Sequence, residues 1–390
     1  MALFYFVKSE TMKICLFNVT STMDAIGSGE VGGVEAYTFR LGLALKQRSH
    51  DVILFGGLPK NGRSFYESTL KVKLFPYLET SSIPNLGTRF RRLTQRLHFA
   101  RSARSEFLAE QFDVALIFKP YDLITARNWR RAGWKNRIIA SIHGPEFYAL
   151  DRCFVSSVDT MYAVSHSTAE AVEKHYGRPC AVIPNFLDVN KFRFLTRPDS
   201  PPEKLIITAG RLVGWKGLAS LIRAFVEIHS RTPEVRLVVI GDGPEKVPLE
   251  QLARQLGLAS AVQFPGVLSE ESVRSFHQKA WIFVQPSIGY ESFSISALEA
   301  LASGLTVLVS DQVGVADWFR VGENIEMFPA GDEDKLKDSI HKLLNEPWTA
   351  HQERGRRARN IVETEFAAEK VVSRIERLCL GKEITVSSAP

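Results

Sequence analysis

Residues 205–229 read LIITAGRLVGWKGLASLIRAFVEIH. An apolar run, Leu205–Ala209, stops at Gly210, a short turn carries Arg211 and Lys216, and Leu218–His229 then has a helical pattern. A Val/Ile/Leu-rich run without alternation suits a parallel strand covered on both faces. The same succession recurs along the chain. In the first half the expected strands are Lys13–Val19, Asp51–Phe55, Val72–Phe75, Val114–Phe118, Ile138–Ile142, Met161–Val164 and Ala181–Ile183. A helix is expected over Val34–Gln47, with Val34, Tyr37, Leu41 and Leu45 on one face. In the second half Arg236–Ile240, Val262–Phe264, Trp281–Val284 and Thr306–Val309 continue the strand series, and Ser294–Ala302 reads as a helix. Strand–helix alternation of this kind predicts doubly wound α/β domains.

The boundary falls in KFRFLTRPDSPPEK, Lys191–Lys204, which has three prolines and neither helix nor strand pattern. The expected organisation is a first Rossmann-like domain over residues 1–190, a linker over 191–204 and a second domain over 205–352, the two facing each other across a cleft. A long charged helix, Glu353–Leu378, fills residues 353–380.

Composition agrees with two globular domains. The chain has 390 residues, 45% hydrophobic and 24% charged, which excludes a disordered, collagen-like or coiled-coil protein. Cys15, Cys153, Cys180 and Cys379 are far apart and form no CxxC pair, which argues against a disulfide framework or zinc ribbon and suits a reducing cytosol. The N-terminal apolar run Ala2–Val7 is too short for a signal peptide or a membrane span, and Met12 reads as a better chain start. A soluble protein is expected.

Charge is divided unevenly. Residues 1–198 hold 27 Lys/Arg and 17 Asp/Glu, a balance of +10, whereas residues 199–390 hold 22 and 26, a balance of −4. The basic half should meet something anionic. Between Ser81 and Ser105 there is no acid, yet Arg89, Arg91, Arg92, Arg96, Arg101 and Arg104 are present, interleaved with Phe90, Leu93 and Leu97 at helical spacing. A solvated surface helix would carry the same charges. The functional alternative is docking through Arg89, Arg91, Arg92 and Arg96 to an anionic membrane or a lipid-linked phosphate, each cation contributing ~1 kcal/mol.

Several motifs fail on context. Gly27-x-Gly29-x-x-Gly32 matches a dinucleotide fingerprint but begins well after the strand ends at Val19. Asp332-Glu333-Asp334 matches a DxD metal motif, yet it precedes the helical run Lys335–Leu344 and reads as a cap. No Walker A sequence, GxSxG elbow or metal-spaced His/Cys set exists.

Others survive. Gly32 and Gly33 precede the first helix, whose backbone N–H groups could meet an anion, although a tight turn explains them equally. Arg211 and Lys216 follow a strand end, where ligands of such folds bind. In YESFSISALEALASG, Glu291 stands in a loop and Glu299 inside the following helix. The amides of Phe293, Ser294 and Ile295 would be free first-turn donors suited to a diphosphate. Glu299 could accept from a ribose diol and Glu291 from a sugar, although glutamates near a helix start are also common caps.

GGVEAY near the start, IHG at 142–144, VIPN at 182–185, ITAGRLVGWKG, VVIGDGP and ESFSISALEALASG together resemble glycosyltransferase family 4, the retaining nucleotide-sugar-dependent transferases of GT-B fold. The resemblance implies that Glu291 and Glu299 contact the donor sugar and the ribose. It further implies that Arg211 and Lys216 bind the diphosphate without a divalent metal or other cofactor, and that Phe293, Ser294 and Ile295 offer amides to phosphate. Gly33 would allow the first domain to approach the diphosphate, His143 would sit against the transferred sugar and Val267 would lie at the base. The linker would be the hinge, and the C-terminal helix would cross back onto the first domain.

The chain departs from the pattern at Ser292 and Ser294, often glycine, at Phe186, usually glycine, and at Thr306, commonly proline. None removes a charge, so the departures bear on sugar preference. The resulting expectation is a cytosolic hexosyltransferase using UDP-glucose or another UDP-hexose, with GDP-mannose second. Its acceptor would be lipid-linked or a growing polysaccharide at the inner membrane face. A nucleotide-sugar epimerase or hydrolase is the alternative. A nucleic-acid-binding protein would explain the basic half but not the placement of the glutamates and cations at strand ends.

Overall fold

The computed structural model describes residues 11–18, 33–58, 70–78, 82–192, 194 and 204–384. The first half builds a seven-stranded sheet in the order β3-β2-β1-β4-β5-β6-β7. Its strands are β1 (Lys13–Asn18), β2 (Asp51–Gly57), β3 (Lys71–Phe75), β4 (Val114–Ile117), β5 (Arg137–Ile142), β6 (Thr160–Ala163) and β7 (Ala181–Val182). The second half builds a six-stranded sheet, β10-β9-β8-β11-β12-β13, from β8 (Leu205–Ala209), β9 (Arg236–Ile240), β10 (Val262–Gly266), β11 (Ile282–Gln285), β12 (Thr306–Ser310) and β13 (Glu326–Phe328). All pairings are parallel, as the unbroken apolar runs require. Every strand expected from sequence is present, with ends shifted by no more than two residues.

The exception is β13. Its sequence Glu-Met-Phe carries no strand signal, and Glu326 is buried there against Lys342 and Arg354.

Helices cover both faces of each sheet. The first domain uses α1 (Gly33–Gln47), α2 (Thr88–Ala109), α3 (Leu123–Arg131) and α4 (His166–Tyr176). The second uses α5 (Leu218–Arg231), α6 (Lys246–Gln255), α7 (Glu270–Lys279), α8 (Ile295–Ala302) and α9 (Glu333–Asn345). In each sheet the strand order reverses once, between β1 and β4 and between β8 and β11, and a crevice opens at such a reversal.

The C-terminal helix differs from expectation. It is two helices, α10 (Trp348–Glu365) and α11 (Ala368–Cys379). ETEFAAEK contains no helix breaker, so the cause is tertiary. Phe366 is fully buried, stacked on Phe319 and packed against Trp318 and Phe293. The adjoining backbone leaves the helix to pair with Leu187, whose N–H donates to the Phe366 carbonyl and whose carbonyl accepts from Ala368. Past this break α11 packs on α1 of the first domain, Val371, Val372 and Ile375 joining the core that holds Tyr37 and Leu41. Arg359 of α10 fastens the crossing, donating to the backbone carbonyls of Val189, Phe192 and Ala302. Most of the Lys191–Lys204 linker lies outside the described residues.

Candidate active site

The cleft is built from strand ends that approach unusually closely. Behind β8, Gly210 leads into the turn that carries Arg211 and Lys216 and closes on Gly217. Gly217 has φ 69°, and a Cβ there would lie 1.9 Å from the Pro286 carbonyl oxygen beyond β11. Gly241, after β9, has φ 128°, and its Cβ would lie 1.9 Å from the Gly210 carbonyl oxygen. Only glycine permits either approach. The loops after β8, β9 and β11 therefore face one crevice.

Lys216 is buried, and its ammonium is hydrogen-bonded to Glu291 Oε1. Ser287 Oγ donates to the other carboxylate oxygen at 2.7 Å. The Glu291 backbone is pinned as well: its N–H donates to Gln312 O and its carbonyl accepts from Gly314 N, both at 2.8 Å. A carboxylate held at both oxygens and both backbone groups is preorganised. Arg211, on the same turn, is exposed and has no ion pair among the described residues. The Trp215 ring lies 4.9 Å from the Lys216 ammonium.

The start of α8 is strained. Ser294 caps the helix, its Oγ accepting from Ala297 N at 3.4 Å, but its backbone has φ 79° and ψ 94°. A non-glycine residue there costs of order 1 kcal/mol, and such strain gathers at functional positions. Ser294, Ile295 and Ser296 at this start line the cleft, and the adjoining Phe293 buries its ring.

Glu299, one turn into α8, is held back from water. Burial pushes its carboxyl up to about 7, opposed by the Arg40 guanidinium at 3.7 Å and assisted by Glu270. Arg40 belongs to α1, so this contact crosses between the domains.

The first domain contributes His143 beyond β5. Its Nε2 lies 2.9 Å from Ser141 Oγ and its ring 4.6 Å from that of Tyr37. Burial, with help from Lys119, lowers the imidazole to about 3, so it is neutral at physiological pH. Ser292 Oγ donates to the His143 backbone carbonyl at 2.5 Å, a second bond between the domains. Two more lie nearby: Asp317 accepts from Ser167 N at 2.8 Å, and the Tyr290 and Thr168 hydroxyls stand 2.7 Å apart.

One cavity of about 620 Å³ is lined by Gly33, His143, Arg211, Lys216, Val267, Glu291, Phe293, Ser294, Ile295 and Glu299. Gly32 lies outside the described residues. The arginines of the basic helix divide. Arg96 is 3% exposed and its Nη1 donates to both carboxylate oxygens of buried Asp122, so it is core and reaches no surface ligand. This corrects the expectation that it docks; a helix long enough to cover the sheet turns one face inward, and Arg96 lies on that face. Arg92 is paired with Glu146, which lines the cavity and also pairs with Lys119. Arg91 is half-buried and Arg89 exposed.

Sequence reading missed Ser287, Glu146 and Arg40, whose roles depend on partners from distant segments. Asp332, the DxD decoy, caps α9 by accepting from Lys335 N at 2.9 Å. Among the described residues no cluster of three His, Cys, Asp or Glu could hold a metal.

Comparison with known proteins follows the same division. Residues 31–191 match the family described as glycosyltransferase family 4, and residues 193–361 match glycosyl transferases group 1. A GDP-mannose-dependent alpha-(1-6)-phosphatidylinositol monomannoside mannosyltransferase of Mycolicibacterium smegmatis is 28% identical over 243 residues, which cover 56% of this chain and 63% of the relative. The N-acetyl-alpha-D-glucosaminyl L-malate synthase of Bacillus anthracis is 24% identical over 371 residues, 89% of this chain and 93% of that one. The crystal structure of Anabaena HepE in complex with UDP and glucose superposes with a TM-score of 0.74 at 18% identity, over 95% of this chain and 100% of HepE. With both halves matched in order and two parallel sheets meeting at this cleft, the protein belongs to glycosyltransferase family 4 and has the GT-B fold.

Proposed function

We propose that this protein is a retaining hexosyltransferase that draws on a nucleotide-diphosphate sugar, a UDP-hexose such as UDP-glucose in first place. The acceptor is lipid-linked or a growing saccharide of the cell envelope or an exopolysaccharide. The observation that carries the reading is the buried Lys216–Glu291–Ser287 network beside Arg211 and the start of α8. In this reading the cations and N–H donors would meet the leaving diphosphate and the fixed carboxylate would meet hexose hydroxyls.

The chemistry follows from that placement. The bond from the anomeric carbon to the diphosphate oxygen breaks, and its electron pair stays with the diphosphate. Lys216, Arg211 and the α8 amides stabilise that charge without help from a divalent metal, and such preorganised donors usually supply the largest catalytic term. The acceptor hydroxyl bonds to the same face of the anomeric carbon and gives its proton to the departing phosphate oxygen. No protein base is needed, which suits a neutral His143 packed beside the sugar. Glu299 accepts from the ribose hydroxyls. The bonds from Ser292, Asp317 and Tyr290 across the domains would keep water out of the closed cleft.

HepE, which holds UDP and glucose, supports the uridine donor. The mannosyltransferase relative supports a second reading, a GDP-mannose-dependent mannosyltransferase. Among the described residues no helix is long and apolar enough to cross a membrane, so a membrane-borne acceptor would be met from the surface. The test is incubation of purified protein with UDP-glucose and a lipid or saccharide acceptor extract, followed by NMR of the new anomeric centre. The reading expects an α-linked product from the α-linked donor. A β-linked product would overturn retention, and full-rate donor consumption without acceptor would favour a hydrolase or epimerase.

A further inference from the structure

A second cavity, of about 540 Å³, opens between α2 and α3. Arg101 and Arg104 of α2 and Asn128 and Arg131 of α3 line it, with Ala100 and Trp129 as its floor. It is separate from the interdomain cleft: Arg101 lies nine residues beyond Arg92, the cleft-side arginine, about 14 Å along the helix.

Among the described residues its charge is unmatched. On these helices Arg92, Arg96 and Arg130 are paired with Glu146, Asp122 and Asp159, whereas Arg127 lies over the Phe154 ring. Arg101, Arg104 and Arg131 have no carboxylate partner among the described residues, and no acid lines the cavity. All three arginines are exposed along one concavity, so an anion entering it can reach each of them.

A second observation points the same way. Thr125, which also lines the cavity, is 2% exposed, and its hydroxyl has no hydrogen-bond partner among the described residues. Buried hydroxyls are normally satisfied. The floor is rigid, because Trp129 stacks on Phe107 at 3.8 Å and meets Phe17 edge-on at 5.0 Å.

We propose that this cavity is a binding site for a phosphate ester, with Arg101, Arg104 and Arg131 pairing the phosphate oxygens and Thr125 and Asn128 donating beside them. Guanidinium forks match phosphate oxygens two at a time, which makes arginine the residue for such recognition. The volume exceeds one phosphate and fits a diphosphate or a phosphate with part of the group it esterifies. That group is either a soluble phosphoester or the headgroup of a membrane lipid.

The test uses the full chain with excess UDP to occupy the interdomain cleft. Inorganic pyrophosphate is titrated calorimetrically, and sedimentation is measured with phosphatidylcholine vesicles with and without phosphatidylglycerol. The site predicts saturable pyrophosphate binding that weakens at least about tenfold in Arg101→Ser/Arg131→Ser. Lys335→Ser, an exposed cation on α9 of the other domain, should leave it unchanged, and Arg131→Lys should retain part of it. Vesicle binding that depends on phosphatidylglycerol and is lost in the same double variant assigns the headgroup. Pyrophosphate binding without vesicle binding assigns the soluble ester. Absence of both, or loss in Lys335→Ser equal to that in the double variant, would overturn the proposal.

Discussion

Glu299→Gln should make the protein more stable and less able to bind its donor. The Glu299 side chain is 17% exposed, and burial lifts its carboxyl from an ordinary 4.5 to about 7. Between those values the folded protein keeps a proton that the unfolded chain has released, so stability falls as pH rises from 4.5 toward 7. A rise of roughly 2.5 units at about 1.4 kcal/mol each amounts to about 3 kcal/mol lost above neutrality. Glutamine has the same shape and no charge to bury. The variant should therefore gain up to about 3 kcal/mol near pH 8 and almost nothing near pH 4.5. For domains of this size the gain corresponds to roughly 6–12 °C in Tm. Scanning calorimetry of both proteins across that pH range reads the difference directly. Equal Tm near pH 8, or a difference that ignores pH, would refute the argument that an ionised carboxylate is held here at a cost in stability.

Three shorter predictions follow from other contacts. Arg96→Met leaves Asp122 buried without its partner and should cost about 3–5 kcal/mol in denaturant unfolding, whereas Arg89→Ala should stay within about 0.5 kcal/mol. Lys216→Met removes the cation beside Glu291 and should weaken UDP binding about a hundredfold in calorimetry, close to 3 kcal/mol; an unchanged affinity would remove Lys216 from the diphosphate site. Ser292→Gly deletes the hydroxyl bonded to the His143 carbonyl and opens space beside the hexose. The ratio of kcat/KM for UDP-N-acetylglucosamine to that for UDP-glucose should then rise by about tenfold, and a fixed ratio would show that Ser292 does not shape the sugar pocket.

What the sequence revealed depended on how local each signal was. Parallel strands buried on both faces are contiguous apolar runs, and these fixed both sheets and the site loops at their ends, including Arg211, Lys216 and Glu291. Three residues of β13 carry no such run, and what holds them is pairing to β12 together with burial of Glu326. The break between α10 and α11 falls in strong helix formers and is imposed by the nest around Phe366, which no local pattern encodes. Arg96 looked like its neighbours because charge reads the same in a list whichever face it lies on; only Asp122, reached through the fold, distinguishes it. The contact between Arg40 and Glu299 likewise joins two halves of the chain that no motif connects. Ser294 was legible as a departure from glycine, but its positive φ, and so its strain, belongs to the folded turn.

The central claim is that the cleft between the two sheets holds a nucleoside diphosphate through Lys216, Arg211 and Glu299 with no divalent metal. Calorimetric titration with UDP, GDP, UDP-glucose and GDP-mannose in the presence of EDTA tests it most directly, in the parent and in Glu299→Ala. The account predicts tight binding of one nucleotide family, UDP first, which is abolished in the variant. Failure of all four ligands to bind, or binding that Glu299→Ala leaves intact, would contradict it.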